Sequence, residues 1–202
     1  MTNDSETILP PAGDGSTARL FVALAVPEAV RPAIARAQAA LARVGDVRWV
    51  PPENWHFTLK FLGSTPLARV PELEGILEGI AKSCFKFVIE LGGMGAFPNA
   101  RRPQVIWIGA RAGGEAMAAL AAEVDAGCAR LGFPREQRPF RAHLTVGRVR
   151  SVRDRDALAA RLAAAPQESL ATWWATELHL VQSTLLPTGA VYRTLRRFPF
   201  GG

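Results

Sequence analysis

The chain has 202 residues, 49% of them hydrophobic and 21% charged, an ordinary composition for a globular protein of one domain or two small lobes. No run of about 18 apolar residues occurs, so the sequence excludes a typical membrane-spanning helix. The formal net charge is +6, and only three of the 24 basic residues are lysines. Because the arginine fork binds two phosphate oxygens at once, this charge favours a polyanionic partner.

The first 18 residues, from Met1 to Ala18, are polar and rich in proline and glycine. They lack the basic start and apolar stretch of a secretory signal, so we expect a disordered leader followed by one folded domain over residues 19–202. The two cysteines, Cys84 and Cys128, form no CxxC pair. They predict neither a disulfide scaffold nor a zinc site, and they favour the reducing cytoplasm.

The first half of the chain shows alternating strand and helix patterns. Hydrophobic periodicity and the positions of proline and glycine predict strands over residues 19–26, 47–50, 56–62 and 85–91, helices over 28–43 and 68–82, and a loop over 92–102.

The second half repeats this order. Strands are predicted over residues 104–110, 142–149, 172–183 and 190–198, and helices over 114–131 and 154–165. The last strands are close neighbours in sequence, which indicates antiparallel pairing. We therefore predict an α+β fold of two similar lobes.

Two of the predicted strands carry the same His-x-Thr motif, once at His56 and once at His143. Because successive side chains of a strand point to opposite faces, His56 shares a face with Thr58, and His143 with Thr145. Apolar residues occupy the other face of each strand and anchor it in a lobe. If the lobes meet across a cleft, two imidazoles and two hydroxyls converge there. Two of the three histidines share this context, which makes the pair a strong signal.

This set of side chains suits hydrolysis of a cyclic phosphodiester. One histidine takes a proton from water, the other gives a proton to the leaving alkoxide, and the threonine hydroxyls donate to the phosphate oxygens. The residues alone do not assign the two histidine roles. No carboxylate cluster or HExxH spacing accompanies the histidines, so we predict no metal and no cofactor.

The tandem motifs resemble those of the 2H phosphoesterase superfamily, in particular its RNA 2′,3′-cyclic phosphodiesterase branch (2′-5′ RNA ligase-like, LigT/ThpR-type). The resemblance runs from Arg19 to about Phe198 and includes WVPPENWHFTLKFLG, RAHLTVGR and STLLPTGAVY. It implies a bilobal LigT-like fold with two antiparallel-sheet lobes, pseudo-two-fold symmetry and helices on the outside. It also implies that His56 is the proton donor, that His143 is the proton acceptor, and that the product is a 2′-phosphomonoester.

Other residues are candidates for substrate binding beside Thr58 and Thr145. Lys60 is expected on the same strand face as His56, where its charge would face the cleft. Arg148 can reach a phosphate if its strand twists or bulges. Phe140 is surrounded by basic residues, a pattern suited to single-stranded RNA; they are Arg135, Arg138 and Arg141. His179 lacks the following threonine and is expected to be structural.

Alternative functions stay open at this point. An ATP-independent 2′-5′ RNA ligase or a 2′-5′ oligonucleotide phosphodiesterase would use the same groups, while the motifs of ATP-driven ligases and P-loop enzymes do not occur. A non-catalytic RNA-binding module would need the arginines but not the histidines. The expected partner is an RNA with a 2′,3′-cyclic phosphate end, without a membrane, and we expect a monomer.

Overall fold

The computed structural model describes residues 16–41, 45–152, 154–165, 168–187 and 189–202. Its strands are β1 (Thr17–Ala25), β2 (Gly45–Trp49), β3 (His56–Pro66), β4 (Phe87–Phe97), β5 (Val105–Ala112), β6 (His143–Val152), β7 (Ala171–Ala175), β8 (Glu177–Leu186) and β9 (Gly189–Pro199). Its helices are α1 (Arg31–Ala39), α2 (Val70–Ser83), α3 (Gly114–Arg130) and α4 (Arg155–Ala163). A leader was expected over residues 1–18, and residues 1–15 of it lie outside the described residues. Strand β1 begins at Thr17, inside the range expected for the leader.

Two antiparallel sheets form the two lobes. The first has the strand order β3-β1-β8-β9 and the second the order β2-β6-β5-β4-β7. The lobes exchange strands, since β2 comes from the first half of the chain and pairs with β6, while β8 and β9 return to complete the first sheet. The predicted bilobal α+β fold is confirmed.

One hydrophobic core runs through both lobes. Helix α2 illustrates how the sequence builds it, because Val70, Leu73, Leu77 and Ala81 recur at helical spacing and are all buried. Each fully buried leucine contributes roughly 1.5–3 kcal/mol relative to an exposed one. The apolar face of α2 packs against α3 and against β8 and β9. No helix in the ranges given above is both long and apolar enough to cross a lipid bilayer.

Two segments differ from the predicted elements. Strand β4 continues to Phe97 through part of the predicted loop at 92–102. Its glycines lie at a β-bulge and at a close packing contact, and they do not end the strand. A Cβ atom on Gly95 would lie 2.3 Å from the ring of Trp107, so glycine lets the indole pack closely against β4. The strand predicted at 172–183 is interrupted at Thr176, and its two parts, β7 and β8, belong to different sheets.

Helix α1 is shorter than predicted. A 3-10 turn over Glu28–Val30 comes first, and α1 begins at Arg31 with a proline in its first turn, where no N–H partner is needed. The end of the prediction, at residues 42–43, lies outside the described residues.

Candidate active site

A cleft of about 1900 Å³ is lined by residues of both sheets. His56 and Thr58 of β3 form part of one wall, and His143 and Thr145 of β6 form part of the other. The two motifs therefore border the same cleft although they are far apart in sequence. Each motif strand is held by its opposite face, where Phe57 and the equivalent Leu144 are fully buried.

The two histidine rings are held in the same way. His56 Nδ1 lies 2.8 Å from the carbonyl oxygen of Asn54, and His143 Nδ1 lies 2.7 Å from that of Arg141. Because a carbonyl oxygen only accepts, Nδ1 donates in both rings, which leaves Nε2 as the nitrogen available for proton transfer. His56 Nε2 lies 3.0 Å from Thr58 Oγ1, so the neutral ring accepts a hydrogen bond from that hydroxyl.

Aromatic rings enclose the histidines unequally. The ring of His56 lies 4.7 Å from Phe21 and 5.1 Å from Tyr192, centroid to centroid, and His143 lies 5.0 Å from Phe97. Burial is the largest cause that lowers the pKa of His56 to about 4; His143 and Arg148 add to this shift, and the hydrogen bond to the Asn54 carbonyl opposes it. At neutral pH the ring of His56 is therefore an uncharged imidazole.

A β-bulge follows the first motif. Thr58 pairs with Ala23 and Lys60 pairs with Val22 of β1, which leaves Leu59 as the extra residue. The extra residue reverses the strand's alternation, so Lys60 is only 2% exposed whereas Phe61 is 58% exposed and lines the cleft. The prediction that Lys60 shares the face of His56 is therefore wrong, although the buried Lys60 still borders the cleft.

The second motif is followed by an equivalent bulge. Thr145 pairs with Trp107 and Gly147 pairs with Ile106 of β5, which leaves Val146 as the extra residue. From the sequence, Arg148 is expected to reach a phosphate if its strand twists or bulges. The bulge is present, and Arg148 is exposed and lines the cleft. Its counterpart in the first lobe is Phe61, which also stands three residues after the motif threonine.

Phe61 was missed because its segment, HFTLKF, alternates perfectly between polar and apolar residues and conceals the bulge. When the two motifs are aligned, Phe61 occupies the position equivalent to Arg148. This equivalence is the signal in the sequence that could have identified Phe61 as a cleft residue.

The basic stretch before the second motif divides between two places. Arg138, Phe140 and Arg141 line the cleft, whereas Arg135 forms an ion pair with Asp125, with 3.0 Å between Nε and Oδ2. Two further cleft arginines, Arg19 and Arg48, were not predicted from the sequence. The arginines give the cleft the charge that an anionic ligand needs.

The remaining candidates lie outside this chemistry. His179 is buried, its Nε2 lies 2.7 Å from Glu177 Oε1, and it is not among the residues lining the cleft. Cys84 and Cys128 are not joined to each other, and burial raises the pKa of Cys128 to about 11. In the part of the chain that the structure describes, no three His, Cys, Asp or Glu side chains are grouped to hold a metal ion.

Sequence comparison relates both halves of the chain to known proteins. The family described as "LigT like Phosphoesterase" matches residues 24–107 and again residues 108–192, so each match contains one His-x-Thr motif. The chain is 38% identical over 180 residues to an Archaeoglobus fulgidus protein named RNA 2′,3′-cyclic phosphodiesterase, covering 89% of this chain and 99% of that one. A protein of the same name from Methanothermobacter thermautotrophicus is 33% identical over 181 residues, covering 89% and 97%.

Structural comparison agrees with the sequence. The protein TT0787 of Thermus thermophilus matches with a TM-score of 0.78 and 31% identity, over 91% of this chain and 98% of that one. E. coli LigT complexed with 3′-AMP matches with a TM-score of 0.76 and 25% identity, over 93% and 100%. The resemblance predicted from the two motifs is confirmed, and the chain belongs to the LigT-like phosphoesterase family.

Proposed function

We propose that this protein hydrolyses 2′,3′-cyclic phosphate ends of RNA to 2′-phosphomonoesters, using His56 and His143 and no metal ion. The observation that carries the proposal is the matched pair of imidazoles on one cleft, each with Nδ1 fixed by a backbone carbonyl and Nε2 left for proton transfer. The names of the relatives, RNA 2′,3′-cyclic phosphodiesterase, support the substrate class.

The reaction needs one proton taken and one proton given. Nε2 of neutral His143 accepts a proton from water as the water oxygen bonds to phosphorus. The bond from phosphorus to the 3′ oxygen breaks, and protonated His56 donates its Nε2 proton to that oxygen. Each of these proton transfers contributes on the order of 10² to 10⁴ in rate. The assignment of donor and acceptor follows the family resemblance.

The threonines and Arg148 stabilise the charge on phosphate. When His56 becomes protonated, its Nε2 no longer accepts a hydrogen bond, so the Thr58 hydroxyl is released to donate to a non-bridging oxygen. Thr145 occupies the matching position on β6, and the Arg148 guanidinium adds a positive charge where the negative charge increases.

RNA suits the rest of the cleft. The exposed ring of Phe61 and the half-buried ring of Phe140 offer faces for bases, while Arg138 and Arg141 offer charges for backbone phosphates. A 2′,3′-cyclic phosphate also requires a ribose with both hydroxyls, which RNA supplies and DNA does not. ATP-independent ligation is the same phosphoryl transfer in reverse, and an excess of water favours hydrolysis.

The test uses an oligonucleotide with a 2′,3′-cyclic phosphate end in excess chelator. The wild type and the control His179→Gln are expected to form a 2′-phosphate, whereas His56→Ala and His143→Ala lower kcat by about 10² to 10⁴. A 3′-phosphate product would contradict the direction of ring opening, and loss of activity on chelation would contradict metal independence. RNA binding without turnover by the wild type would identify a binding module instead.

A further inference from the structure

A buried ion pair joins β3 to α3 next to the first motif, at the border of the cleft. Lys60 Nζ, on β3 of the first lobe, lies 2.6 Å from Asp125 Oδ1 on α3, which also packs against β5 of the second lobe. The side chains are 1% and 12% exposed. Burying two charges costs about as much free energy as their attraction returns, so stability alone does not account for such a pair.

The same two side chains fasten an irregular segment of the second lobe. Lys60 Nζ also donates to the Pro134 carbonyl at 2.8 Å. Asp125 accepts the Glu136 backbone N–H at 3.1 Å and pairs with Arg135 at 3.0 Å. Three consecutive residues outside any helix or strand are thus attached to one buried pair.

Charge keeps this attachment in place. Burial raises the pKa of the Asp125 carboxyl, but the hydrogen bonds from Lys60 and the Glu136 N–H, with the charges of Lys60 and Arg135, outweigh it, and the pKa lies below its usual value. Asp125 is therefore ionised at neutral pH and accepts from all three of these residues.

The fastened segment continues directly into the active-site wall. Arg138, Phe140 and Arg141 follow it and line the cleft, and the Arg141 carbonyl accepts the Nδ1–H of His143. Hydrogen bonds therefore link Lys60, on the strand of one histidine, to residues 134–136, and the backbone continues from there to the carbonyl that orients the other histidine.

We propose that Lys60 and Asp125 are positioning residues, whose ion pair fixes residues 134–141 and through them the substrate wall and the orientation of His143. The proposal rests on the function proposed for this cleft. It also gives the bulge at Leu59 a second consequence, since the extra residue that turns Phe61 into the cleft turns Lys60 toward Asp125.

The main test replaces the ion pair with an apolar pair. Lys60→Met alone leaves the Asp125 carboxylate buried without its partner and is expected to destabilise the protein, whereas Lys60→Met/Asp125→Leu removes both charges. Lys82→Met is the matched control, because Lys82 forms an exposed ion pair with Glu78 on α2, with 2.9 Å between Nζ and Oε1. Thermal unfolding, steady-state kinetics and native-state trypsin cleavage are measured for each variant.

The double variant is expected to fold, with kcat lowered about 10²-fold, because small displacements of a catalytic group have effects of that size. Trypsin should cleave it after Arg135 and Arg141 about tenfold faster than the wild type, since cleavage reports local opening. A folded double variant with wild-type kcat and cleavage would overturn the proposal and leave the pair a purely structural feature.

A second variant tests the same link without changing buried charge. Glu136→Pro removes the backbone N–H that donates to Asp125, and Glu136→Ala keeps it. Faster cleavage after Arg141 in the proline variant alone supports the proposal, and equal cleavage in both contradicts it. Because proteolysis needs no substrate, an inactive wild type would contradict the proposed function without deciding the positioning role.

Discussion

The surroundings of His56 favour the uncharged form of its ring. His56 lies between Phe21 and Tyr192, and burial, together with the electrostatic influence of His143 and Arg148, lowers its pKa to about 4. A proton donor must nevertheless carry a proton. The negative charge of a bound phosphate offsets both burial and the neighbouring cations, so substrate binding itself is expected to protonate His56.

The titration of His56 should therefore move upward with an anionic ligand. In the free protein the ring is expected to titrate near pH 4, and inorganic phosphate should raise this midpoint because the imidazolium gains an opposite charge. Arg148→Met should also raise it by removing a repelling charge. NMR of the ring protons measures each midpoint, with His56→Asn assigning the signal. A free midpoint near 6.5 that phosphate leaves unchanged would contradict this account.

Phe61 is expected to contribute to substrate binding and not to folding. Its ring is 58% exposed, so Phe61→Ala should change the free energy of unfolding by less than about 0.5 kcal/mol. Losing a stacked base weakens binding by about 1–3 kcal/mol, which raises KM for an oligonucleotide about 5- to 150-fold. Phe85→Ala is the control, because Phe85 is 78% exposed and is not among the residues lining the cleft. Equal KM values for the two variants would exclude stacking on Phe61.

At the scale of the elements, the sequence predicted the motif strands but not their irregularities. Alternation correctly put His56 beside Thr58, because both precede the extra residue Leu59. It failed for Lys60 and Phe61, since a bulge is decided by pairing with a distant strand and leaves no mark in HFTLKF. The glycines of β4 led to the opposite error. They predicted a loop, whereas in the structure they permit close packing within a strand.

Gly95 of β4 and Gly75 of α2 should respond oppositely to alanine. A Cβ on Gly95 meets the Trp107 ring, which packs 5.3 Å from Phe97, so Gly95→Ala should destabilise the protein by about 1–3 kcal/mol. Gly75 is exposed with nothing within 4 Å, and Gly75→Ala should stabilise α2 by about 0.5–1 kcal/mol. Urea unfolding measures both free energies. A neutral Gly95→Ala would show that the indole moves aside freely.

At the scale of the molecule, the strand exchange makes the cleft a property of the whole chain. The family matches each half once and each match holds one His-x-Thr motif, yet β2 of the first half pairs with β6, and β8 and β9 of the second half complete the first sheet. Repetition and periodicity predicted the two lobes. They could not predict this exchange, because strand order depends on contacts between segments far apart in sequence.

Arginines from both lobes border this cleft, so substrate length should determine how strongly salt inhibits the enzyme. A mononucleoside 2′,3′-cyclic phosphate presents one phosphate to Arg148, whereas an oligonucleotide also brings backbone phosphates to Arg138 and Arg141. Each additional single-strand phosphate contact adds about 0.7 to the slope of log KM against log salt concentration.

The steeper slope for the oligonucleotide should fall toward that of the mononucleotide in Arg138→Gln/Arg141→Gln. This double substitution keeps the Arg141 backbone carbonyl, so the hydrogen bond that orients His143 is retained and kcat should change little. Equal slopes for both substrates in the wild type would mean that the enzyme binds the terminal nucleotide alone. Arg138 and Arg141 would then be solvent-exposed residues that do not bind the RNA backbone.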